Sequence, residues 1–296
     1  MLAFGNDTDS NEVKLMEKKQ TGVKLPTFSV LMSVYKNEQP DFLDAALLSI
    51  EQQTLQPNQI VLVEDGPLTK ELGAVITQHE KKFPQLYEVV KKSQNEGLGL
   101  ALRTGTTYCK HPWIMRMDSD DIAVPQRFEV QMNIVAQDDR YAIVGGQVDE
   151  FEGQVSNIVG RRLVPETEEE ILKFVKWRSP FNHPTVLIKK VVLEAVGGYQ
   201  PFGKLEDYYL WVRIISAGYP VLNVPHTLVH MRVDSGMYSR RGDKENLKYI
   251  FNLRYLLRKK GFISYSEQLL GNVIMIGNNL VPNSLRKFVY QHMMHK

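Results

Sequence analysis

The densest chemistry in the chain is Arg116-Met117-Asp118-Ser119-Asp120-Asp121, which packs three carboxylates into four residues. Like charges crowded this closely repel one another, and a bound cation relieves the repulsion. Hard divalent ions such as Mg2+ and Mn2+ take oxygen ligands and commonly bridge one or two carboxylates to a substrate's phosphates. The same residues also suit a turn that caps a helix after Pro125. Two further clusters are Ser33, Tyr35, Asn37 and Glu38, and Asp65 in Glu64-Asp65-Gly66-Pro67. A tyrosine there can stack on a base or cover a sheet end, and Asp65 can bind a ligand or simply build the turn. Lastly, Glu206-Asp207 opens the amphipathic stretch LEDYYLWVRIISA, after Gly197-Gly198-Tyr199. A carboxylate in that place either caps a helix through its dipole or acts as a general base.

What positions these residues is an alternation of strands and helices. FSVLMSVY (28–35) and IVLV (60–63) are apolar runs of strand length with no helical period. Residues 86–90 and 113–117 predict two more strands. Helices are expected over 41–54, with Asp41 as its cap, and over 69–83 and 95–109. Continuous apolar strands alternating with helices predict an α/β fold with a parallel sheet covered on both faces. Ligands bind such sheets at the carboxyl ends of the strands, where the polar clusters stand. Beyond 125 the alternation weakens. Helices are expected over 126–137, 166–177 and 205–217, extended chain over 141–148, 186–188 and 221–231, and helix again from 243, broken near Gly261 and Pro282.

Composition narrows the class. With 296 residues, 43% hydrophobic and 24% charged, the chain has the make-up of a globular protein and not of a disordered one. Its single cysteine, Cys109, allows no internal disulfide or cysteine-based zinc site, which fits a reducing compartment. No apolar run reaches the roughly 20 residues of a membrane span, and the first 26 residues read as a polar arm without a signal peptide. A net charge of +2 makes no demand for nucleic acid. The charge is unevenly placed, however. Residues 1–239 hold 25 basic against 31 acidic side chains, and residues 240–296 hold 11 against 3. A basic tail on an acidic body points to an anionic partner, a membrane surface or phosphates, or else to a solvated helical face. Within 244–260, lysines and arginines stand beside aromatic and leucine residues, which suits either an interfacial helix or packing onto the core.

FSVLMSVYKNE, IVLVEDG, NEGLGLALRTG, RMDSDDIAVPQRFE, NHPTV and GGYQPFGKLEDYYLWVR, taken in order over residues 27–240, resemble the family-2 glycosyltransferases of GT-A fold. The chain is most similar to those of amylovoran-type, capsule and O-antigen biosynthesis, which share its Arg-Arg-Gly and basic ending. The resemblance implies a Rossmann-like, mostly parallel central sheet with helices on both faces, and a C-terminal helical extension over 241–296. It implies that Ser33, Tyr35 and Asp65 hold the uridine of a UDP-sugar, and that Asp118 and Asp120, the ends of a DxD motif, meet the ribose and a Mn2+ or Mg2+ ion. Arg103 and Arg116 fall where contacts to the donor's diphosphate or pocket are expected. Asp207 matches the catalytic base, with Glu206, Asn182 and His183 facing the acceptor. The implied reaction transfers one hexose, glucose or galactose, with inversion to a polyprenyl-diphosphate-linked saccharide. It would take place in the cytoplasm, on the inner face of the bacterial membrane.

The chain also departs from that pattern. Many relatives place a further metal-binding histidine two residues after an arginine, but here Arg232-Val233-Asp234 puts an aspartate there, with His230 before the arginine. Asp234, His230 or a water are the candidates for a third ligand. The Gln-x-x-Arg-Trp motif of processive synthases is absent, and Arg240-Arg241-Gly242 stands in its region, which implies transfer of a single sugar. Two rivals share the sheet. A sugar nucleotidyltransferase would carry a glycine-rich signature after its first strand, and SVYKNEQPD has none. A non-catalytic nucleotide-sugar-binding scaffold would be expected to lack Asp120 or Asp207.

Overall fold

The computed structural model describes residues 24–233 and 247–280. Its first half follows the apolar runs. Strands β1 (Phe28–Val34), β2 (Gln59–Glu64), β3 (Tyr87–Lys91) and β4 (Trp113–Met117) alternate with helices α1 (Pro40–Glu51), α2 (Lys70–Lys82) and α3 (Leu98–Tyr108). The ladders of β1 with β2 and β4, and of β2 with β3, are all parallel. β2 and β4 are buried along their whole length, which explains why they read as unbroken apolar runs. Side chains then alternate between two layers. Val30 and Met32 face α1 and α2, through Leu43, Leu47, Leu72 and Ile76, whereas Leu31 faces Ala101 and Leu102 of α3. Asp41 sits in the first turn of α1 and is not its cap; Gln39 holds that position with no side-chain hydrogen bond. Pro40, which lacks an N–H to cap, begins the helix one residue earlier than expected.

The second half holds β5 (Ile122–Ala123), α4 (Arg127–Gln137), β6 (Ile143–Phe151), β7 (Ile158–Arg162), α5 (Glu168–Phe174), a 3-10 turn (His183–Thr185), β8 (Leu187–Lys189) and α6 (Lys190–Ala195). It ends with α7 (Glu206–Ser216), β9 (Val221–Arg232), α8 (Leu247–Lys259) and α9 (Tyr265–Leu280). The sheet runs β3-β2-β1-β4-β8-β6-β9-β5, with β7 paired to β6. β8 lies antiparallel between β4 and β6, while β6 and β9 are parallel. The order reverses between β1 and β4, a switch point of the kind where open α/β sheets bind ligands. Both Tyr35 and Asp118 directly follow the strands on its two sides.

The expected arm over 1–26 lies outside the described residues except for 24–26, and Asp234, Arg240-Arg241-Gly242 and Pro282 also lie outside them. The basic segment over 244–260, expected either as an interfacial helix or as one packed on the core, is helical from Leu247, and its apolar side faces inward. Leu253 and Leu257 join Ile263 in the core layer of α7, and Tyr249 meets Phe202 at 5.4 Å between ring centroids.

Helix α3 lies hard against the sheet at Gly105, where a Cβ would come 2.4 Å from Leu31 Cδ1 and 2.7 Å from Val63 Cγ2. Alanine favours a helix over glycine by about 1 kcal/mol, whereas overpacking a core costs about 1–3 kcal/mol. Gly105→Ala is therefore expected to lower unfolding stability despite the better helix former. Chemical denaturation would show it as a reduced midpoint at unchanged slope.

Candidate active site

The site begins with a buried charge. Arg116, on β4, is only 1% exposed, and one of its nitrogens donates to Asp118 Oδ1, while Nε and Nη1 have no hydrogen-bond partner. A second buried arginine supports that strand end: Arg127 Nη2 donates to Arg116 O at 2.6 Å and Nη1 lies 3.1 Å from Met117 Sδ. Burial and the neighbouring Arg116 lower the Arg127 guanidinium to about 9. Asp118, Asp120 and Asp121 then follow in one loop, with ligand oxygens within 4.8 Å of one another.

That loop is held in place from two sides. Ser119 Oγ donates to Glu38 Oε2 at 2.6 Å, which ties it to the chain after β1. The backbone N–H of Arg232, at the end of β9, donates to Asp121 Oδ1 at 2.9 Å, and its side-chain Nε donates to Asp120 O at 3.1 Å. The Arg232 guanidinium lies between the rings of Phe42 and Phe151, at 3.8 and 4.6 Å. Asp121 Oδ2 is left buried with no partner. Burial, then Asp118 and Glu38, push the Asp120 carboxyl up to about 7, and burial, then Asp118 and Asp120, raise Asp121 well above its usual range. An orphaned buried oxygen and carboxyls that hold protons against their own repulsion fit a divalent cation with oxygen ligands. His230 does not join this group. It stands on β9 opposite Ile122, with its Nδ1 buried and unpartnered. Asp121 is the third carboxylate that the loop itself supplies.

Opposite the cluster is the start of α7. Gly197 and Gly198, with φ of +86° and +66°, end α6 in a left-handed turn, which Arg213 of α7 grips through the carbonyls of Val196 (2.6 Å) and Gly198 (2.8 Å). The glycines thus set where α7 begins. Glu206 and Asp207 fill its first turn, where the helix dipole favours carboxylates, and the backbone amide of Tyr208 supports Asp207. Burial nevertheless dominates. It pushes Asp207 up to about 6 against the pull of Tyr208 and Arg116, and raises Glu206 to about 7. Between the two sides lies the NHPTV segment. His183 Nε2 is 3.1 Å from Tyr199 Oη, and its ring packs on Tyr199 and Trp211. Burial, then Arg116, hold His183 well below its usual pKa, so it is neutral. Asn182 donates to the carbonyls of Gly146 and Arg162, each at 3.0 Å.

Asp118, Asn182, His183 and Asp207 line one cavity of about 1110 Å3. Ser33 and Tyr35 lie at the end of β1 nearby in the sheet order, the first half-buried and the second exposed. Asp65 is engaged within the protein. Its two oxygens accept from the amides of Glu96 (3.0 Å) and Gly97 (2.9 Å), and Lys92 lies 3.5 Å away, so it staples the loop before α3 to the end of β2. Arg103 is exposed on α3. Sequence reasoning passed over Arg127 and the clamping role of Arg232, although a lone arginine in PQRFE, at the start of an apolar helix, was a signal for the first.

Clustered carboxylates at the switch point face the half-buried Asp207, with Glu206 beside it, across one cavity, an arrangement that fits a glycosyltransferase of GT-A fold. Residues 29–196 match the family described as Glycosyl transferase family 2. The chain is 42% identical over 272 residues to an uncharacterized glycosyltransferase of Haemophilus influenzae, covering 91% of this chain and 99% of the relative. It is 36% identical to the amylovoran biosynthesis glycosyltransferase AmsE of Erwinia amylovora, covering 89% and 98%. It is 34% identical to the UDP-Gal:alpha-D-GlcNAc-diphosphoundecaprenol beta-1,3-galactosyltransferase of Escherichia coli, covering 92% and 98%. Among solved structures, Staphylococcus aureus TarS residues 1–349 superpose with a TM-score of 0.61 at 11% identity, over 90% of this chain and 72% of that one. The Pyrobaculum calidifontis mannosyltransferase PcManGT, solved with GDP-Man and Mn2+, superposes with a TM-score of 0.59 at 15% identity, over 95% and 85%. The chain belongs to glycosyltransferase family 2 and is a glycosyltransferase.

The raised carboxyls give the site a signed pH dependence. Where the folded pKa exceeds the unfolded one, the native state binds more protons, so metal-free stability falls as pH rises through the folded value. Asp120→Asn, which mimics the protonated form, should raise the metal-free thermal midpoint at pH 7.5 and leave it unchanged near pH 4. Mn2+ should stabilise the wild type more at pH 7.5 than at pH 5, because its ligands must lose protons, and this increment should vanish in the variant.

Proposed function

We propose that the protein transfers one hexose from a UDP-sugar, with inversion, to a lipid-linked saccharide in surface-polysaccharide biosynthesis. The observation that carries this reading is that Asp118 and Asp207 line one cavity, with the carboxylate cluster on one side and a half-buried carboxylate at a helix start on the other. The named relatives supply the class of donor and acceptor. Asp118, Asp120 and Asp121 would hold the divalent cation, which would offset the negative charge gathering on the departing diphosphate. Ser33 and Tyr35 stand where the nucleoside would lie, at the switch point. Asp65 would serve there by fixing the turn that follows β2, and Arg116 by adding positive charge beneath the diphosphate.

In the reaction the acceptor oxygen attacks C1 of the sugar while its proton passes to Asp207. The bond from C1 to the diphosphate oxygen breaks with its electron pair, and UDP leaves. One base and one displacement invert the anomeric centre. Asp207 serves as base only when ionised, so its pKa of about 6 sets the acid limb of the rate. Asn182 and His183, anchored at the cavity wall, would position the acceptor, and Glu206 would lie beside it.

Attachment to an anionic membrane surface fits α9 better than α8. Tyr265, Leu269, Leu270, Val273 and Ile274 are all exposed, at helical spacing along one face, and the exposed Lys259 and Lys260 precede them. Among the described residues no helix is long and apolar enough to cross a membrane. This surface would bring the site to a lipid-borne acceptor.

Asp207→Asn should fold and bind UDP as the wild type does, yet lose about 10²- to 10⁴-fold in kcat. Near-wild-type turnover would sink the assignment. For the wild type, kcat/KM should climb with pH through about 6 and then level off. Vesicles rich in phosphatidylglycerol should carry the protein upward in flotation at low salt, and Leu270→Glu with Ile274→Glu should leave it at the bottom.

A further inference from the structure

The hydrogen bond between Tyr199 and His183 can run in two senses, and the surroundings admit one of them. Tyr199 is 1% exposed, and among the described residues its Oη has no partner except His183 Nε2, at 3.1 Å. If the imidazole donated through Nε2, the phenol hydrogen would be left buried without an acceptor, which is costly. If the phenol donates to Nε2, both groups are satisfied. Burial keeps the phenol protonated, so it has a hydrogen to give. An imidazolium is disfavoured by burial and then by Arg116, whose guanidinium acts on both rings. His183 is therefore neutral, with its proton on Nδ1.

That proton meets open space. Among the described residues Nδ1 has no hydrogen-bond partner, and it is not one of the atoms enclosed without one. The space that His183 lines is the cavity it shares with Asp118 and Asp207. Packing holds the ring in this pose. It stands edge-on to Trp211, at 5.8 Å and 71°, and Trp211 is fully buried against Phe181 at 5.4 Å. The 3-10 turn with Pro184 fixes the backbone beneath it. Tyr199 is placed as firmly, because it directly follows Gly197 and Gly198, the left-handed turn that Arg213 grips.

Building on the transferase reading, we infer that Tyr199 is a positioning residue for the acceptor: its hydroxyl fixes His183 as the Nδ1–H tautomer, and that N–H donates to an acceptor-sugar oxygen beside the reacting hydroxyl. The reacting oxygen gives its proton to Asp207 and needs its lone pair for C1, so a donor serves best on a neighbouring oxygen. A second fixed contact stops the sugar from pivoting about the attacking hydroxyl. The other tautomer would present a lone pair to that oxygen and would select a different orientation of the sugar. The turn after α6 thus acts on the acceptor through two rings, without touching it.

Long-range proton–nitrogen correlation spectra of the full chain, with isotope-labelled histidine, report the tautomer directly. The signals that vanish in His183→Asn identify His183 among the seven histidines. Without any ligand, His183 should show a protonated Nδ1 and a bare Nε2, and Tyr199→Phe should move it toward the Nε2–H form. A protonated Nε2 in the wild type would overturn the inference even if Tyr199→Phe failed to fold, and so would a tautomer that the variant leaves unmoved. Transfer is then read with glucose, galactose and their N-acetylamino analogues on farnesyl diphosphate. Tyr199→Phe should lower kcat/KM for the acceptor about tenfold, the scale of one hydrogen bond, at wild-type UDP affinity. An asparagine amide places an N–H near the position of Nδ1 without help from the phenol. In a His183→Asn background, Tyr199→Phe should therefore cost nothing further. A full tenfold loss there would make Tyr199 merely structural and overturn the inference. No transfer to any of these acceptors by the wild type would count against the lipid-linked acceptor, whereas normal transfer with the other tautomer would count against this inference alone.

Discussion

The organising constraint of the molecule is the Arg116 guanidinium, almost wholly enclosed at the end of β4. A buried cation with two unpaired nitrogens has to draw negative charge toward itself. Asp118 answers directly, and the carboxyls of Asp207, Glu206, Asp120 and Asp121 all lie within its field. Burial, aided by the same field, keeps His183 neutral. Burial alone would drive these acids far toward their protonated forms, and Arg116 moderates that tendency. The site is thus poised between two large effects: desolvation, which favours neutral acids, and one fixed positive charge, which favours carboxylates.

Around that charge the fold works as a set of braces. Arg127 holds the backbone of Arg116, Arg232 holds the loop of Asp120 and Asp121 from a distant strand, and Ser119 ties it to Glu38. On the other side, Arg213 fixes the turn from which α7 starts. Three of these braces are arginines donating to backbone carbonyls. A guanidinium offers several donors in a rigid fork and stays charged when buried, so it can lock a loop without titrating.

Much of this was legible in the chain. FSVLMSV, QIVLVE and WIMRM are buried on both faces, so their apolar runs could only be central parallel strands, and the acidic groups after them had to fall on one rim. Other parts left weaker marks. β5 has two residues, and the exposed faces of β7 carry Ile158 and Val159 without alternation, so neither shows a strand's period. In α8, basic and apolar residues are mixed along the helix, and only packing reveals that Leu253 and Leu257 turn inward. Asp65 illustrates a different limit. Its place after β2 was evident, but sequence spacing does not reveal that the amides of Glu96 and Gly97, thirty residues on, occupy its oxygens.

The stretch that matches the family as a whole, residues 29–196, stops short of α7 and α8. It contains the switch point, the acidic loop and the strands that carry them, whereas Asp207 and the helical wall of the cavity come later in the chain. On the proposed mechanism, the groups that meet the donor and the base that meets the acceptor would therefore come from successive stretches of sequence, with Asn182 and His183 of the first reaching toward the second. On that reading, variation confined to the later stretch would reshape the helical side of the cavity around Asp207 and leave the acidic loop as it is.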